Sequence, residues 1–333
     1  MRQQPLARSA SRGVPELILV TGANGFVGSA LVKRLAQDHP EGGVMAAVRG
    51  KGWTPSMTCE VVEVGGIDGS TCWKRALQGM EVVVHCAARV HVMHERSVNP
   101  LAEFRKVNVE GTANLARQAA AAGVRRFVYL SSVKVNGEST LPGQPFTAED
   151  PPEPQDAYAI SKHEAEQELH RIAKSAGMEL VIIRPPLVYG AGVKANFAAM
   201  MRGVARGVPL PLGAVTFNRR SMVALDNLVD LIVVCLKHPL AANQTFLVSD
   251  GEDLSTCELI QRMARALGTP ARLVYLPTGI LRLGAAALNR GSVYARLCGS
   301  LQVDISKTCT RLGWAPPITV DAGLLQVALG MKR

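Results

Sequence analysis

A chain of 333 residues that is 47% hydrophobic, 19% charged and 5% aromatic can bury one large core or a main core with a smaller lobe, which excludes a disordered chain. Its net charge of +10 comes from scattered Lys and Arg with no basic run interleaved with aromatics, a diffuse footprint that argues against a nucleic-acid partner. No run of 18 apolar residues occurs, and the nearest stretch, Leu273 to Leu288, is broken by Pro277, Gly279 and Arg282, so no membrane span is expected.

In chain order, the residues through Pro15 are rich in Arg, Ser and Gln and lack the apolar stretch of a secretory signal; a disordered extension is expected there. From Glu16 onward, apolar runs alternate with amphipathic stretches. Strands are expected at Leu17–Thr21, Val44–Val48, Val61–Val64, Val82–Cys86, Phe127–Ser131 and Leu180–Ile183. Helices are expected at Phe26–Asp38, Thr71–Leu77, Leu101–Ala122 and Tyr158–Ser175. Short Val/Ile/Leu strands alternating with helices indicate an α/β fold, a doubly wound parallel sheet with its ligand crevice at the carboxyl ends of the strands.

Five prolines and three acids between Pro142 and Pro154 predict an exposed loop. After Arg184 the pattern loosens around Pro185, Pro186, Pro209 and Pro211, with a helix near Ala195–Arg206. Ser255 and Glu258 form a capping box that opens a helix over Leu259–Leu267. The expected organisation is a dinucleotide-binding domain over 16–184 with a returning segment near 216–249. A smaller C-terminal α/β substrate lobe is expected from 185–215 and 250–333. Seven cysteines (59, 72, 86, 235, 257, 298 and 309) show no C-x-x-C pair and no His/Cys ligand spacing, which predicts reduced thiols, a cytoplasmic location and no metal.

The sequence Thr21-Gly-Ala-Asn-Gly-Phe-Val-Gly28 links the first strand to the first helix. Gly22 permits a tight turn, Gly25 lets backbone N–H groups reach a pyrophosphate, and Gly28 allows close helix–strand packing. With Asn24, Phe26 and Val27 between them, these residues make a Rossmann phosphate loop at a helix N-terminus. At the end of the second strand, where an acid would hold the ribose 2′-hydroxyl of NAD, stand Arg49 and, two residues on, Lys51. A guanidinium pairs with a 2′-phosphate, so NADP(H) is preferred and NAD(H) remains possible.

Tyr158 and Lys162 lie four residues apart on one face of a predicted helix. A free phenol titrates near ~10, and a neighbouring cation is expected to lower that value toward neutrality. Ser131-Ser132 ends the strand Phe127–Leu130 at the crevice edge, where a hydroxyl could hydrogen-bond a substrate oxygen while Tyr158 exchanges its proton.

Together these motifs resemble the extended short-chain dehydrogenase/reductase family, in its NAD(P)-dependent sugar-nucleotide epimerase/dehydratase/reductase branch. The resemblance runs to Leu312-Gly-Trp-Ala-Pro316 and includes His85-Cys-Ala-Ala88, Asn108-Val-Glu-Gly-Thr112, Arg184-Pro-Pro-Leu-Val-Tyr-Gly190 and Arg219 through Asp226. It implies Ser132, three residues before Val135, as the catalytic hydroxyl, with Tyr158 and Lys162. It implies Ile67, Ala87, Ala88, Asn108 and Pro185 along the cofactor cleft, with Lys162 also on the nicotinamide ribose. Lys134, Asn196 and Arg219 are the expected substrate contacts, Arg219 gripping a nucleotide-sugar diphosphate, although a structural salt bridge is the alternative for it. Relatives also suggest a homodimer through the helices around Leu101–Ala122 and Tyr158–Ser175.

Three departures narrow the reading. Gly66 stands where an acid often touches the adenine, Val90 where epimerases carry a lysine, and Val133-Lys134 where 4,6-dehydratases carry Asp-Glu. The stretches Ala88–Met93, Ser131–Glu138 and Gln155–Tyr158 look most like 4-reductases of polysaccharide and O-antigen biosynthesis. Those enzymes reduce a UDP-linked 4-keto-6-deoxy-N-acetylhexosamine to UDP-N-acetylquinovosamine or UDP-N-acetylfucosamine with NADPH. That reduction is the expected activity. The alternatives are a UDP-sugar 4-epimerase with tightly bound NAD and a non-catalytic NAD(P)-binding regulator.

Overall fold

The structure, a computed structural model, describes residues 17–55, 57, 59–90, 99–141 and 143–331. The expected N-terminal extension, Pro142 and the part of the Ala88–Met93 stretch beyond Val90 lie outside these residues.

Seven strands form one parallel sheet: β1 (Ile18–Thr21), β2 (Val44–Val48), β3 (Glu60–Glu63), β4 (Val82–His85), β5 (Arg126–Leu130), β6 (Glu179–Arg184) and β9 (Gln244–Leu247). Their order is β3-β2-β1-β4-β5-β6-β9, so the chain reverses its direction of travel between β1 and β4. That reversal opens a crevice beyond the carboxyl ends of β1 and β4. This is the α/β, Rossmann-like architecture expected from the alternating pattern.

The strands are apolar on both faces because both are covered. Ile18, Val20, Val82, Val84 and Val128 pack into one core with α1 (Phe26–Asp38) and α6 (Leu225–Lys237). Leu19, Val83, Phe127 and Tyr129 point the other way, into a core shared with α3 (Thr112–Ala121) and α4 (Ala157–Ala176). The period of two thus divides each strand between two layers of helices. β3 lies at the sheet edge and exposes Glu60 and Glu63, charges that discourage pairing with another chain.

A third core joins the short parallel pair β7 (Leu187–Tyr189) and β8 (Met222–Ala224) to α5 (Ala195–Ala205), α7 (Thr256–Leu267) and α11 (Val320–Met331). The capping box at Ser255 and Glu258 forms as expected. Tyr189 Oη donates to Asp250 Oδ2 at 2.7 Å, and the other Asp250 oxygen accepts from Asn227 Nδ2 at 2.7 Å, tying β7 to α6. Two smaller helices, α8 (Thr278–Ala287) and α9 (Gly291–Cys298), pack against each other. α10 (Ser306–Leu312) precedes α11. Among the described residues no helix is long and apolar enough to cross a membrane.

Three expected elements differ. In place of a helix over Thr71–Leu77, residues 71–73 are irregular and 74–79 form turns, although Trp73, Ala76 and Leu77 have helical spacing and are buried. Thr71 Oγ1 donates to the Gly66 carbonyl, and Trp73 N donates to the Gln118 side chain instead of to a carbonyl one turn back. The helix expected at Leu101–Ala122 is interrupted: α2 (Pro100–Phe104) passes into a π-helical segment, Arg105–Gly111, before α3. The proline-rich loop does not simply project into solvent, since Phe146 pairs with Val303 and packs with Val133, Leu247 and Leu301.

Candidate active site

The glycine loop occupies the carboxyl end of β1. Gly22 has φ +64, and a Cβ there would stand 2.8 Å from the backbone of Ala87. A Cβ on Gly28 would lie 2.1 Å from the Gly22 carbonyl oxygen, and one on Gly25 3.0 Å from it. Side chains at these places would force the turn away from Ala87 and from α1, so the glycines keep the tight strand–turn–helix packing that a dinucleotide phosphate loop needs. Gly25 is the N-cap of α1 and brings no side-chain cap, so the first N–H groups of that helix are left for an anion. Asn24 is exposed at the tip, while Phe26 and Val27 are half-buried.

Ser132 and Tyr158 meet across the carboxyl edge of β5. Two forces raise the Tyr158 phenol to about 12, burial first and then the Asp156 carboxylate, while a hydrogen bond with Ser132 acts in the opposite direction. Lys162 is 2% exposed. Its Nζ donates to the Leu130 carbonyl at 2.7 Å and lies 4.4 Å from the centre of the Tyr129 ring. Burial brings the ammonium down to about 8, against the pull of Glu166. The expected lowering of the tyrosine by Lys162 is therefore not what the protein alone produces. Desolvation and Asp156 raise the phenol, and the Lys162 ammonium is directed to the Leu130 carbonyl.

The two serines have separate surroundings. Ser131 Oγ donates to Glu166 Oε1 at 2.5 Å, and Glu166 also receives Arg184 Nε at 3.0 Å and Nη2 at 2.5 Å. Arg184 Nη1 continues to Asn136 Oδ1 at 3.0 Å. Ser131 is thus committed to a buried network, whereas the Ser132 hydroxyl accepts the Lys134 N–H, at 3.2 Å, and hydrogen-bonds Tyr158.

Asn108, inside the π-helical segment, fastens the strand end to the helix bearing the phenol. Its Oδ1 accepts from Arg89 N at 2.8 Å, and its Nδ2 donates to Arg89 O at 3.0 Å and to Ser161 Oγ at 2.9 Å. Ser161 Oγ in turn donates to the Tyr158 carbonyl at 2.8 Å. His85 is buried between the Thr21 and Thr112 hydroxyls, at 2.6 and 3.0 Å, and burial holds it down to about 3, so it is neutral.

Ala87 and Ala88, both half-buried, follow β4 beside the glycine turn, and Ile67 packs where a Cβ on Gly111 would collide with it. Pro185 is buried after β6, and its carbonyl accepts from Val133 N at 3.0 Å. Arg49 and Lys51 are exposed just past β2. Asn196 is exposed in the first turn of α5. Lys134 donates to Asp156 at 2.6 Å and to Glu138 at 2.9 Å. Arg219 Nη1 donates to the carbonyls of Thr216 and Asn218, each at 3.1 Å, and reaches Glu258 at 3.5 Å, the structural alternative considered for it.

Sequence reasoning missed the parts that hold the phenol in place. Asp156 Oδ1 caps α4 by accepting from Ala159 N at 2.7 Å, and the signal was present as an Asp just ahead of a helical pattern. The Glu166–Arg184 pair carried no local signal, because its partners come together only in three dimensions.

Residues 18–249 match the NAD dependent epimerase/dehydratase family. The chain belongs to that family. Among epimerase/dehydratase relatives, a UDP-glucose 4-epimerase of Vibrio cholerae is 49% identical over 322 residues, covering 96% of this chain and 97% of the relative. An Escherichia coli O157:H7 protein, the N-acetyl-alpha-D-glucosaminyl-diphospho-ditrans,octacis-undecaprenol 4-epimerase, is 27% identical and covers 92% of each chain. The crystal structure of a Bacillus cereus UDP-glucuronic acid 4-epimerase in complex with NAD superposes with a TM-score of 0.75 at 21% identity, covering 95% of this chain and 96% of that one. That superposition supports the epimerase/dehydratase fold across nearly the whole chain.

Proposed function

We propose that this protein is a UDP-sugar 4-epimerase that keeps its NAD throughout the catalytic cycle. The observation that carries this reading is the 49% identity, over almost the full length of both chains, to a UDP-glucose 4-epimerase. It moves the reading away from the 4-keto-sugar reductase expected from the sequence motifs.

In this proposal Gly22, Asn24, Gly25, Phe26, Val27 and Gly28 hold the pyrophosphate at the α1 N-terminus, and Ile67, Ala87, Ala88, Asn108 and Pro185 line the cleft. An oxidised nicotinamide seated there would supply the acceptor for the C4 hydride, and its reduced form the source that gives it back, with a positive charge favouring the phenolate of Tyr158, which the protein alone raises to about 12. Ser132 orients the sugar C4 hydroxyl toward Tyr158. Tyr158 takes that proton as the carbon is oxidised, and returns it to the same oxygen once the keto sugar has presented its other face. Lys162 holds the cofactor ribose and keeps a positive charge near the phenolate. Arg219 leaves its two carbonyls and the distant Glu258 for the sugar diphosphate, a better anionic partner, with Asn196 and Lys134 as further contacts. We also propose the organisation described above, with 16–184 and 216–249 on the dinucleotide and 185–215 and 250–333 on the sugar nucleotide, in a cytoplasmic homodimer.

A second reading, NADPH-dependent reduction of a 4-keto sugar nucleotide, is favoured by Arg49, an exposed cation just past β2 that could pair with a 2′-phosphate. One experiment separates the two. Protein purified without added cofactor is assayed for bound NAD and for interconversion of UDP-glucose and UDP-galactose, and of their N-acetylated forms. Interconversion without added cofactor supports the epimerase. No interconversion, together with NADPH oxidation equal to the amount of 4-keto UDP-sugar consumed, replaces it with the reductase.

A further inference from the structure

Helix α8 leaves a long apolar stripe uncovered. Leu281 and Ala285 face inward, Leu281 packing on the third core near Tyr294 and Leu297. Away from that contact, Ile280, Leu283, Gly284, Ala287 and Leu288 are all exposed. Leu283 is 71% and Leu288 74% exposed, and Tyr275, in the loop leading to the helix, is 76% exposed. No residue of α8 is buried.

Charge identifies what fits this face. Between Glu258 and Asp304 lie six arginines and no acid. Of these, Arg282, Arg290 and Arg296 are exposed around α8 and α9 and form no ion pair among the described residues. A second copy presenting the same face would bring arginine against arginine. The first fifteen residues of the chain carry three arginines and no acid, so they do not complement it either. A nucleic acid would satisfy the charge but would leave Ile280, Leu283 and Leu288 against polar groups. A surface that is anionic at its face and hydrocarbon beneath satisfies both sets of side chains.

We propose that α8, with the loops on either side of it, docks this protein on an anionic lipid bilayer. The helix lies in the interface with Ile280, Leu283 and Leu288 sunk below the headgroups. Arg282, Arg290 and Arg296 reach out to the lipid phosphates, and the Tyr275 ring sits at headgroup level. Nothing in this proposal depends on which sugar the active site takes.

The full-length protein is centrifuged with vesicles of phosphatidylcholine alone or of phosphatidylcholine mixed with phosphatidylglycerol. It is expected to sediment with the mixed vesicles at low salt, at least about tenfold more than with the neutral ones, and to be released as salt rises. A Leu283→Asp/Leu288→Asp variant and an Arg282→Gln/Arg290→Gln variant should each lose more than about tenfold of that binding, with unchanged melting temperature and unchanged turnover of soluble substrate. Failure of the wild-type protein to sediment with the mixed vesicles would overturn the proposal. So would undiminished binding by the leucine variant. Conversion of a wild-type dimer to a monomer by Leu283→Asp/Leu288→Asp would also overturn it, assigning the face to contacts between copies.

Discussion

Ser131 Oγ donates to Glu166 Oε1 at 2.5 Å, and this bond gives two adjacent serines different tasks. Ser131→Ala removes a partner from a buried carboxylate and is expected to cost about 1–3 kcal/mol of stability while the active site keeps its groups. Ser132→Ala should leave the melting temperature unchanged and lower kcat about 100-fold, the scale for losing one hydrogen-bond donor to a reacting oxygen. Urea denaturation and steady-state kinetics on both variants check the contrast. The assignment fails if the two effects are exchanged.

Asp156 raises the Tyr158 phenol and also caps the helix that carries it. Asn is an equally good cap, so Asp156→Asn removes the negative charge with little loss of helix stability. Without that charge the phenolate forms more easily, and the acidic limb of the kcat/KM profile should move to lower pH. The same substitution releases the Lys134 ammonium from an ion pair, which acts in the same direction. A limb that stays in place, or moves up, would show that proton transfer does not pass through Tyr158.

Lys162 is held at about 8, below the ~10.5 of an exposed lysine. Between those values the unfolded chain binds the proton and the native protein does not, so this group makes stability rise as pH climbs from about 8 to about 10.5. Below about 8 the charge is buried in full, at a cost on the order of 3 kcal/mol. Lys162→Met keeps most of the stem and removes that cost along with the bond to the Leu130 carbonyl. It is expected to be at least as stable as the wild type at pH 7, to lose the rise between the two pH values, and to be inactive. Denaturant midpoints at neutral and alkaline pH, beside an activity assay, measure all three.

Gly28→Ala places a methyl 2.1 Å from a carbonyl oxygen. The loop or the first turn of α1 must shift, and the N–H groups of that turn leave their positions. The purified variant should carry no dinucleotide, read from its ultraviolet spectrum after acid release, whereas the neighbouring Ser29→Ala should retain the wild-type content.

Arg49→Glu reverses the charge at the end of β2. Affinity for NADPH, followed by nucleotide fluorescence, should fall at least about tenfold while that for NADH is kept or improved. Equal losses for both nucleotides would place Arg49 outside the ribose site.

The sheet and the helix carrying Tyr158 and Lys162 were legible in the sequence because each rests on short-range patterns. Helix α1 has the expected bounds, Phe26–Asp38, because a glycine turn precedes it and a continuous apolar stripe defines it. The Tyr158 and Lys162 helix was visible from spacing alone. Trp73, Ala76 and Leu77 misled, since buried turns can reproduce helical spacing when side chains such as Gln118 supply the missing hydrogen bonds. β7 and β8 span three residues each, too few for any period to show, and only their pairing defines them. The basicity of Tyr158 was misjudged for a related reason. A charged neighbour four residues away is visible in a sequence, but burial of the phenol is not, and burial is the larger effect.

The π-helical run Arg105–Gly111 makes this stretch intolerant of changes in length. The wider i→i+5 turns of the π-segment absorb one residue more than an α-helix needs for the same rotation, so deleting Lys106 would let the backbone close to its ordinary pitch with the flanking helices still in phase and would displace the residues inside the segment. Asn108 would swing away from Arg89 and Ser161, whereas Phe104, outside the segment, would keep its edge-on contact with the Tyr158 ring, 6.1 Å away between centres. Amino-acid exchanges on the outer surface of this segment should be absorbed easily. Loss of a single codon should disable the enzyme even though it would yield a more regular helix.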